Sequence, residues 1–163
     1  MGKAPRRNRD RYSLDKAELA RSHGLDHAIL YRETDFVAEV RRLTDGTGVD
    51  IAYDGVGGET LTRTLDAMKP FGTVISVGQA GGSLPAIALG ELGPRRSLSL
   101  ARPSFFAYAG DPRSYARATA ALFEQIGRGL KIKIGAEFAL SDAAKAHLRL
   151  EQGATVGSIL LRP

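Results

Sequence analysis

The chain has 163 residues, 43% of them hydrophobic and 25% charged, which places it among ordinary globular proteins with enough apolar residues for one packed core. It contains no cysteine, so a disulfide framework, a thiolate nucleophile and a cysteine-bound zinc are all excluded. Of the net charge of +5, the first twelve residues carry +4, because Lys3, Arg6, Arg7, Arg9 and Arg11 stand against Asp10 alone. The rest is nearly neutral, so the basic balance describes a tail and argues only weakly for a nucleic-acid partner. No apolar run reaches the ~18 residues of a membrane span. The basic amino terminus leads into Tyr12-Ser13-Leu14-Asp15 rather than into an apolar signal core, which predicts a cytoplasmic protein with no membrane partner.

Residues 1–12 read as a disordered basic tail. Ser13 is a predicted N-cap, and Leu14, Ala17, Leu19 and Ala20 form the apolar stripe of a helix from about Leu14 to His23 that stops at Gly24. His27–Tyr31 is a short strand. Phe36, Val37, Val40 and Leu43 share a helix face that stops at Gly46-Thr47-Gly48. Val49–Asp54 is the next strand, Leu61, Leu65 and Met68 recur at helical spacing until Lys69-Pro70, and Thr73–Val77 is a third strand. Gly78–Pro94 reads as a long loop, and Leu98–Ala101 as another strand. Asp111-Pro112 opens a helix with Tyr115, Thr119, Leu122, Phe123 and Ile126 on one face, ended by Gly127 and Gly129. A strand at Lys133–Phe138, a helix capped by Ser141 and running through Ala144 and Leu148, and a strand at Ser158–Leu161 complete the chain. Strands alternating with helices at these intervals build βαβ units, hence an α/β fold with a doubly wound parallel sheet.

The places where chemistry should stand are nearly empty. A dinucleotide-binding sheet carries a glycine-rich turn after its first strand, because the backbone must approach the pyrophosphate at a helix amino terminus. No such turn precedes Ser13. Gly55-Val56-Gly57-Gly58 and Gly78-Gln79-Ala80-Gly81-Gly82 each follow a strand, but neither fits G-x-G-x-x-G. By themselves they read as tight turns, with a pyrophosphate cradle as the alternative. His23, His27 and His147 lack metal-ligand spacing and read as turn or surface residues, so no metal site is expected.

An ordered series of short segments says more. Lys16-Ala17-Glu18-Leu19-Ala20, Gly24-Leu25-Asp26-His27, Tyr31-Arg32-Glu33-Thr34-Asp35-Phe36, Gly48-Val49-Asp50, Tyr53-Asp54-Gly55-Val56-Gly57, Ala101-Arg102-Pro103-Ser104 and Gly157-Ser158-Ile159-Leu160-Leu161 follow one another. In this the chain resembles the zeta-crystallin-like quinone oxidoreductases of the medium-chain dehydrogenase superfamily, from Ser13 to Pro163. The resemblance implies a Rossmann-like domain that binds NADPH beside a GroES-like catalytic domain, with hydride passing to a quinone or a related conjugated carbonyl. It places Lys16 and Tyr31 beside the 2′-phosphate and adenosine ribose, and Gly57 at the strand end next to the cofactor. Val77, Gly78 and Gln79 then line the nicotinamide ribose, and Ala101 and Arg102 stand by the nicotinamide amide. It also implies a homodimer formed through the edge strand Leu98–Arg102. Read without the resemblance, Lys16 is equally a solvated helix lysine, Tyr31 a half-buried strand end and Arg102 a protective edge charge.

The family also places a GroES-like domain, a first strand, the glycine-rich turn with its helix and a second strand ahead of the position of Ser13, where this chain has twelve residues. The expectation is therefore an incomplete sheet, produced by truncation, a frameshift or a misassigned start, with residues 13–130 as a partial NADP-binding domain and 131–163 as a segment of the catalytic side. No catalytic residue is expected in the chain, and activity of the chain alone is not expected. The rival readings are a non-catalytic dimerising module, a fragment of a zinc-type alcohol dehydrogenase or enoyl reductase, and a nucleic-acid binder using the basic tail.

Overall fold

The structure, a computed structural model, describes residues 7–163. Two compact units account for them: one takes the described residues up to Leu30 together with Ala120–Pro163, the other Tyr31–Thr119. The part of the expected disordered tail at residues 1–6 lies outside the described residues.

In the unit Tyr31–Thr119, helix α2 (Phe36–Leu43) begins at Asp35, whose carboxylate accepts the amides of Val37 at 3.0 Å and Ala38 at 3.4 Å. A turn leads into strand β1 (Val49–Asp54), followed by helix α3 (Gly58–Thr64), a 3-10 turn at Leu65–Ala67, and strand β2 (Met68–Ser76). A four-residue helix α4 (Leu89–Leu92), strand β3 (Ser99–Ala101) and helix α5 (Phe105–Gly110) come next. The strands are parallel in the order β1-β2-β3. Ala52, Val74 and Leu100 stand in register on one face, where Val74 is fully buried against Leu61, Leu65 and Met68. On the other face Ile51 and Tyr53 are 56% and 72% exposed, so the sheet is packed on one side and open on the other.

Arg41 closes the lower end of this unit. Its guanidinium donates to the carbonyls of Gly46 at 2.7 Å, Thr47 at 2.8 Å, Met68 at 3.0 Å and, through two nitrogens, Asp66 at 2.8 and 3.2 Å. One planar cation thereby satisfies four backbone acceptors where two turns meet. Nearby Arg96 pairs with both Asp66 and Glu91, and this neighbour holds the Glu91 carboxyl below its ordinary range.

The other unit holds helix α1 (Arg7–Ser22), the carboxyl-terminal end of helix α6 (Pro112–Gly127), strand β4 (Ile134–Ala139), helix α7 (Ala143–Glu151) and strand β5 (Ser158–Arg162). Strands β4 and β5 pair in parallel, with Ala136 opposite Ile159 and Phe138 opposite Leu161. Ala146 of α7 and Ala17 of α1 are its buried apolar side chains.

Parallel α/β structure is thus present as the sequence predicts, with local corrections. His27–Tyr31 is not a strand. A strand exists only through a ladder partner, and none stands beside this segment among the described residues. Ser13 does not cap α1, which starts at Arg7, because neither proline nor glycine interrupts the run from Arg7 to Ser22. Met68 is the first residue of β2 rather than the last of a helix; the 3-10 turn delivers it to the same core that helical spacing assigns it to. Pro70 does not end an element either. It sits in a bulge, where the register passes from Val49 opposite Met68 to Ile51 opposite Thr73. Helices α4 and α5 occupy stretches given no helix by the sequence reading, α5 being capped by the Ser104 hydroxyl at 3.4 Å from the Ala107 amide. Ser141 lies within a 3-10 turn, so that Asp142 precedes α7.

Replacing Arg41 by Gln leaves several of the four carbonyls without a donor, and should lower stability by roughly 2–4 kcal/mol in urea denaturation with an unchanged slope. A loss near zero would show that water replaces the guanidinium freely.

Candidate functional site

Parallel strands bring their carboxyl ends to one edge of a sheet, and ligand sites in such sheets form just beyond that edge. Here β1, β2 and β3 end at Asp54, Ser76 and Ala101. Six of the predicted site residues, Gly57, Val77, Gly78, Gln79, Ala101 and Arg102, gather at this edge or in the loops leaving it.

The loops after β1 and β2 are stitched together through their backbones. Val77 and Gly78 donate to the Asp54 carbonyl at 2.8 and 3.3 Å, Ala80 to Gly55 at 3.4 Å, and Gly81 to Val56 at 2.6 Å. Such close approach needs bare backbone. A Cβ on Gly78 would lie 2.6 Å from the Gly55 carbonyl oxygen, and one on Gly57, whose φ is +70°, 2.9 Å from the Gln79 Cα. The two glycine clusters therefore form one paired surface rather than two separate turns.

Asp54 organises that surface, and sequence reasoning did not single it out. The residue is 5% exposed, and its Oδ1 accepts the amides of Val56 at 2.7 Å and Gly57 at 3.0 Å, an Asx turn that bends the chain straight out of the strand. Its Oδ2 is buried and has no hydrogen-bond partner among the described residues. The available signal was an aspartate at a strand end followed by Gly55-Val56-Gly57-Gly58.

Arg102 leaves the end of β3 and reaches across β2. Its guanidinium donates to the Ser76 hydroxyl at 3.0 Å and to the Gln79 side-chain oxygen at 3.3 Å. Both acceptors are neutral, Ser76 is buried, and among the described residues no carboxylate pairs with Arg102. A cation fixed by neutral groups keeps its charge available to a ligand at the sheet edge. Val77, 58% exposed, lies on the open side of the same edge.

Lys16 and Tyr31 belong to different compact units. Lys16 donates to the Gly153 carbonyl at 2.9 Å. Tyr31 lies in a turn rather than at a strand end, with the Arg32 guanidinium 6.0 Å from its ring centre. Among the described residues no group of three His, Cys, Asp or Glu side chains could hold a metal ion, and no helix is long and apolar enough to cross a membrane.

Comparison with known proteins gives this geometry its context. The family model described as "Zinc-binding dehydrogenase" matches residues 23–161. A quinone oxidoreductase of Pseudomonas aeruginosa is 38% identical over 93% of this chain and 47% of its own length. A 2-haloacrylate reductase of a Burkholderia species is 37% identical over 91% of this chain and 45% of its own. The crystal structure of Escherichia coli quinone oxidoreductase complexed with NADPH superposes with a TM-score of 0.84 at 36% identity, over 91% of this chain and 47% of that one. The chain thus spans about half the length of the relatives it matches. It belongs to the zinc-binding dehydrogenase family, within the medium-chain dehydrogenase superfamily and with quinone oxidoreductases among its near relatives.

Proposed function

We propose that this chain supplies cofactor-facing walls of an NADPH-dependent oxidoreductase that reduces a quinone or a related conjugated carbonyl. The observation that carries the reading is the paired glycine surface at the strand ends, with Arg102 held over it by Ser76 and Gln79. The bound cofactor supplies the hydride. The chain's own part is position and charge: Gly57 and Gly78 let a ligand lie against backbone, Val77 and Ala101 offer apolar contact, and Arg102 offers its remaining N–H donors to a carbonyl or an anion. The solved relative with NADPH bound and the relatives acting on quinones and on a haloacrylate support this cofactor and this class of electron-poor acceptor. The family's description names zinc, and the described residues offer no ligand set for it.

In the same reading, residues 13–130 belong to the NADP-binding domain and 131–163 to the catalytic side, and the protein works in the cytoplasm as a homodimer. The outer edge of β3 supports the dimer, since β3 is an end strand of its sheet and unpaired edges call for a partner or a cover. A dimerising module without catalysis shares that edge and differs in failing to bind cofactor.

In this reading Lys16 favours NADPH over NADH, because an ammonium suits a 2′-phosphate, and the Tyr31 hydroxyl suits the adenosine ribose. Contacts of this kind contribute about 1.5–3 kcal/mol, roughly tenfold or more in affinity. With the amino-terminal half of the family restored by fusion, equilibrium dialysis against the two cofactors should show that preference, and Lys16→Ala should reduce it; equal affinities would remove the proposal. Gly78→Ala places a Cβ against the Gly55 carbonyl and should weaken cofactor binding far more than Gly90→Ala, where the added atom meets open space. Equal effects of the two would show that the paired surface is not the cofactor wall.

The 163-residue chain by itself should show no measurable NADPH-dependent quinone reduction. Its two or three charge-assisted hydrogen bonds give on the order of 3–9 kcal/mol gross, against about 4–15 kcal/mol for immobilising a ligand, which leaves weak cofactor binding and too little to hold the nicotinamide for turnover. Robust turnover, abolished by Gly78→Ala, would contradict this.

A further inference from the structure

The packed face of the three-stranded sheet ends in a polar row. Ala52, Val74 and Leu100 stand in register on that face, and two residues further along the chain from each come Asp54, Ser76 and Arg102. Asp54 is the register partner of Ser76, and Arg102 follows Ala101, the partner of Ile75. Carboxylate, hydroxyl and guanidinium thus succeed one another at the ends of neighbouring strands, the first two residues only 5% and 2% exposed. Ser76 and Arg102 are joined by a hydrogen bond, which Nη1 of Arg102 donates to the Ser76 oxygen at 3.0 Å.

The Asx turn after β1 uses only the Oδ1 of Asp54, and an asparagine would supply that oxygen without a buried charge. Oδ2 is buried with no hydrogen-bond partner, and Asp54 enters no ion pair, among the described residues. A charge placed there is costly unless it acts on neighbouring dipoles and cations. Ser76 supplies an orientable dipole, and Arg102 a cation on its far side. Because the Ser76 oxygen accepts from Arg102, the hydroxyl hydrogen is free to turn the other way, toward the strand that carries Asp54. A hydroxyl polarised in that direction is a better acceptor for the guanidinium. We propose that Asp54 is the positioning residue of Arg102 and acts through Ser76: its charge orients the hydroxyl so that the oxygen faces the guanidinium, and so keeps the remaining N–H donors of Arg102 over the strand-end surface. That these donors serve a bound cofactor rests on the NADPH reading above; the link from Asp54 to Arg102 does not, and it is measured without cofactor.

Nuclear magnetic resonance of the isotopically labelled 163-residue chain tests this through the exchange of the Arg102 guanidinium hydrogens with water. The guanidinium of Arg41, bonded to carbonyls at the other end of the unit, is the internal reference. Asp54→Asn, Ser76→Ala and Ser76→Thr are compared with the unaltered chain. The expected result is exchange at Arg102 at least about fivefold faster in Asp54→Asn and in Ser76→Ala, the factor that one net hydrogen bond carries. Ser76→Thr, which keeps the hydroxyl, should restore slow exchange, and Arg41 should stay constant throughout. Faster exchange in Ser76→Ala with none in Asp54→Asn would show that the hydroxyl holds Arg102 unaided, and overturns the proposal; unchanged exchange in both does the same. Should Asp54→Asn strip the Val56 and Gly57 amides of their protection or speed exchange at Arg41, the turn or the fold is lost in that variant, and the Asp54 carboxyl-carbon resonance decides. It should move in Ser76→Ala and return in Ser76→Thr, and a resonance indifferent to Ser76→Ala overturns the proposal.

Discussion

The hydrogen bonds of the Asp54 carboxylate to the amides of Val56 and Gly57 fix the geometry on which the candidate site depends. They turn the chain sharply at the end of β1, and the same residue's carbonyl receives Val77 and Gly78 from the end of β2. One side chain and its own backbone thus join two loops into a single surface. The arrangement has a cost, since Oδ2 is buried without a partner among the described residues. Leaving a buried acceptor unmade costs about 1–3 kcal/mol.

Around that joint the remaining features divide by purpose. The core of Leu61, Leu65, Met68 and Val74 fixes where the strands end, and Arg41 ties the opposite end of the unit to four carbonyls. Neither stands at the strand-end edge. Arg102 does, and it is held there by hydrogen bonds to neutral acceptors that direct its charge without cancelling it.

What the sequence shows of this protein follows the range of the forces involved. Periodicity and caps are local, so β1, β3 and β5 and the helices after Asp35 and Asp111 were legible within a residue or two. Burial was legible even where secondary structure was not, as with Met68, which is buried from a strand rather than from a helix. Strand pairing is long-range, and His27–Tyr31 shows the consequence: its composition suits a strand, but no neighbour supplies a ladder. The site was legible mainly through resemblance. Gly57, Gly78, Gln79 and Arg102 do converge, whereas Asp54, which brings the loops together, had no motif of its own, and the pairing of the two glycine clusters is a fact of register.

The central claim is that the strand-end surface, rather than some other face, meets the nicotinamide cofactor. Nuclear magnetic resonance of the isotopically labelled chain during addition of NADP⁺ tests it most directly, because each backbone amide reports for itself and weak binding is sufficient. The account predicts that the amides of Gly57, Val77, Gly78, Gln79 and Arg102 shift together with one apparent affinity, and that those of Arg41 and its carbonyl partners stay in place. Shifts confined to residues away from this edge, or no shift at millimolar cofactor, would contradict it.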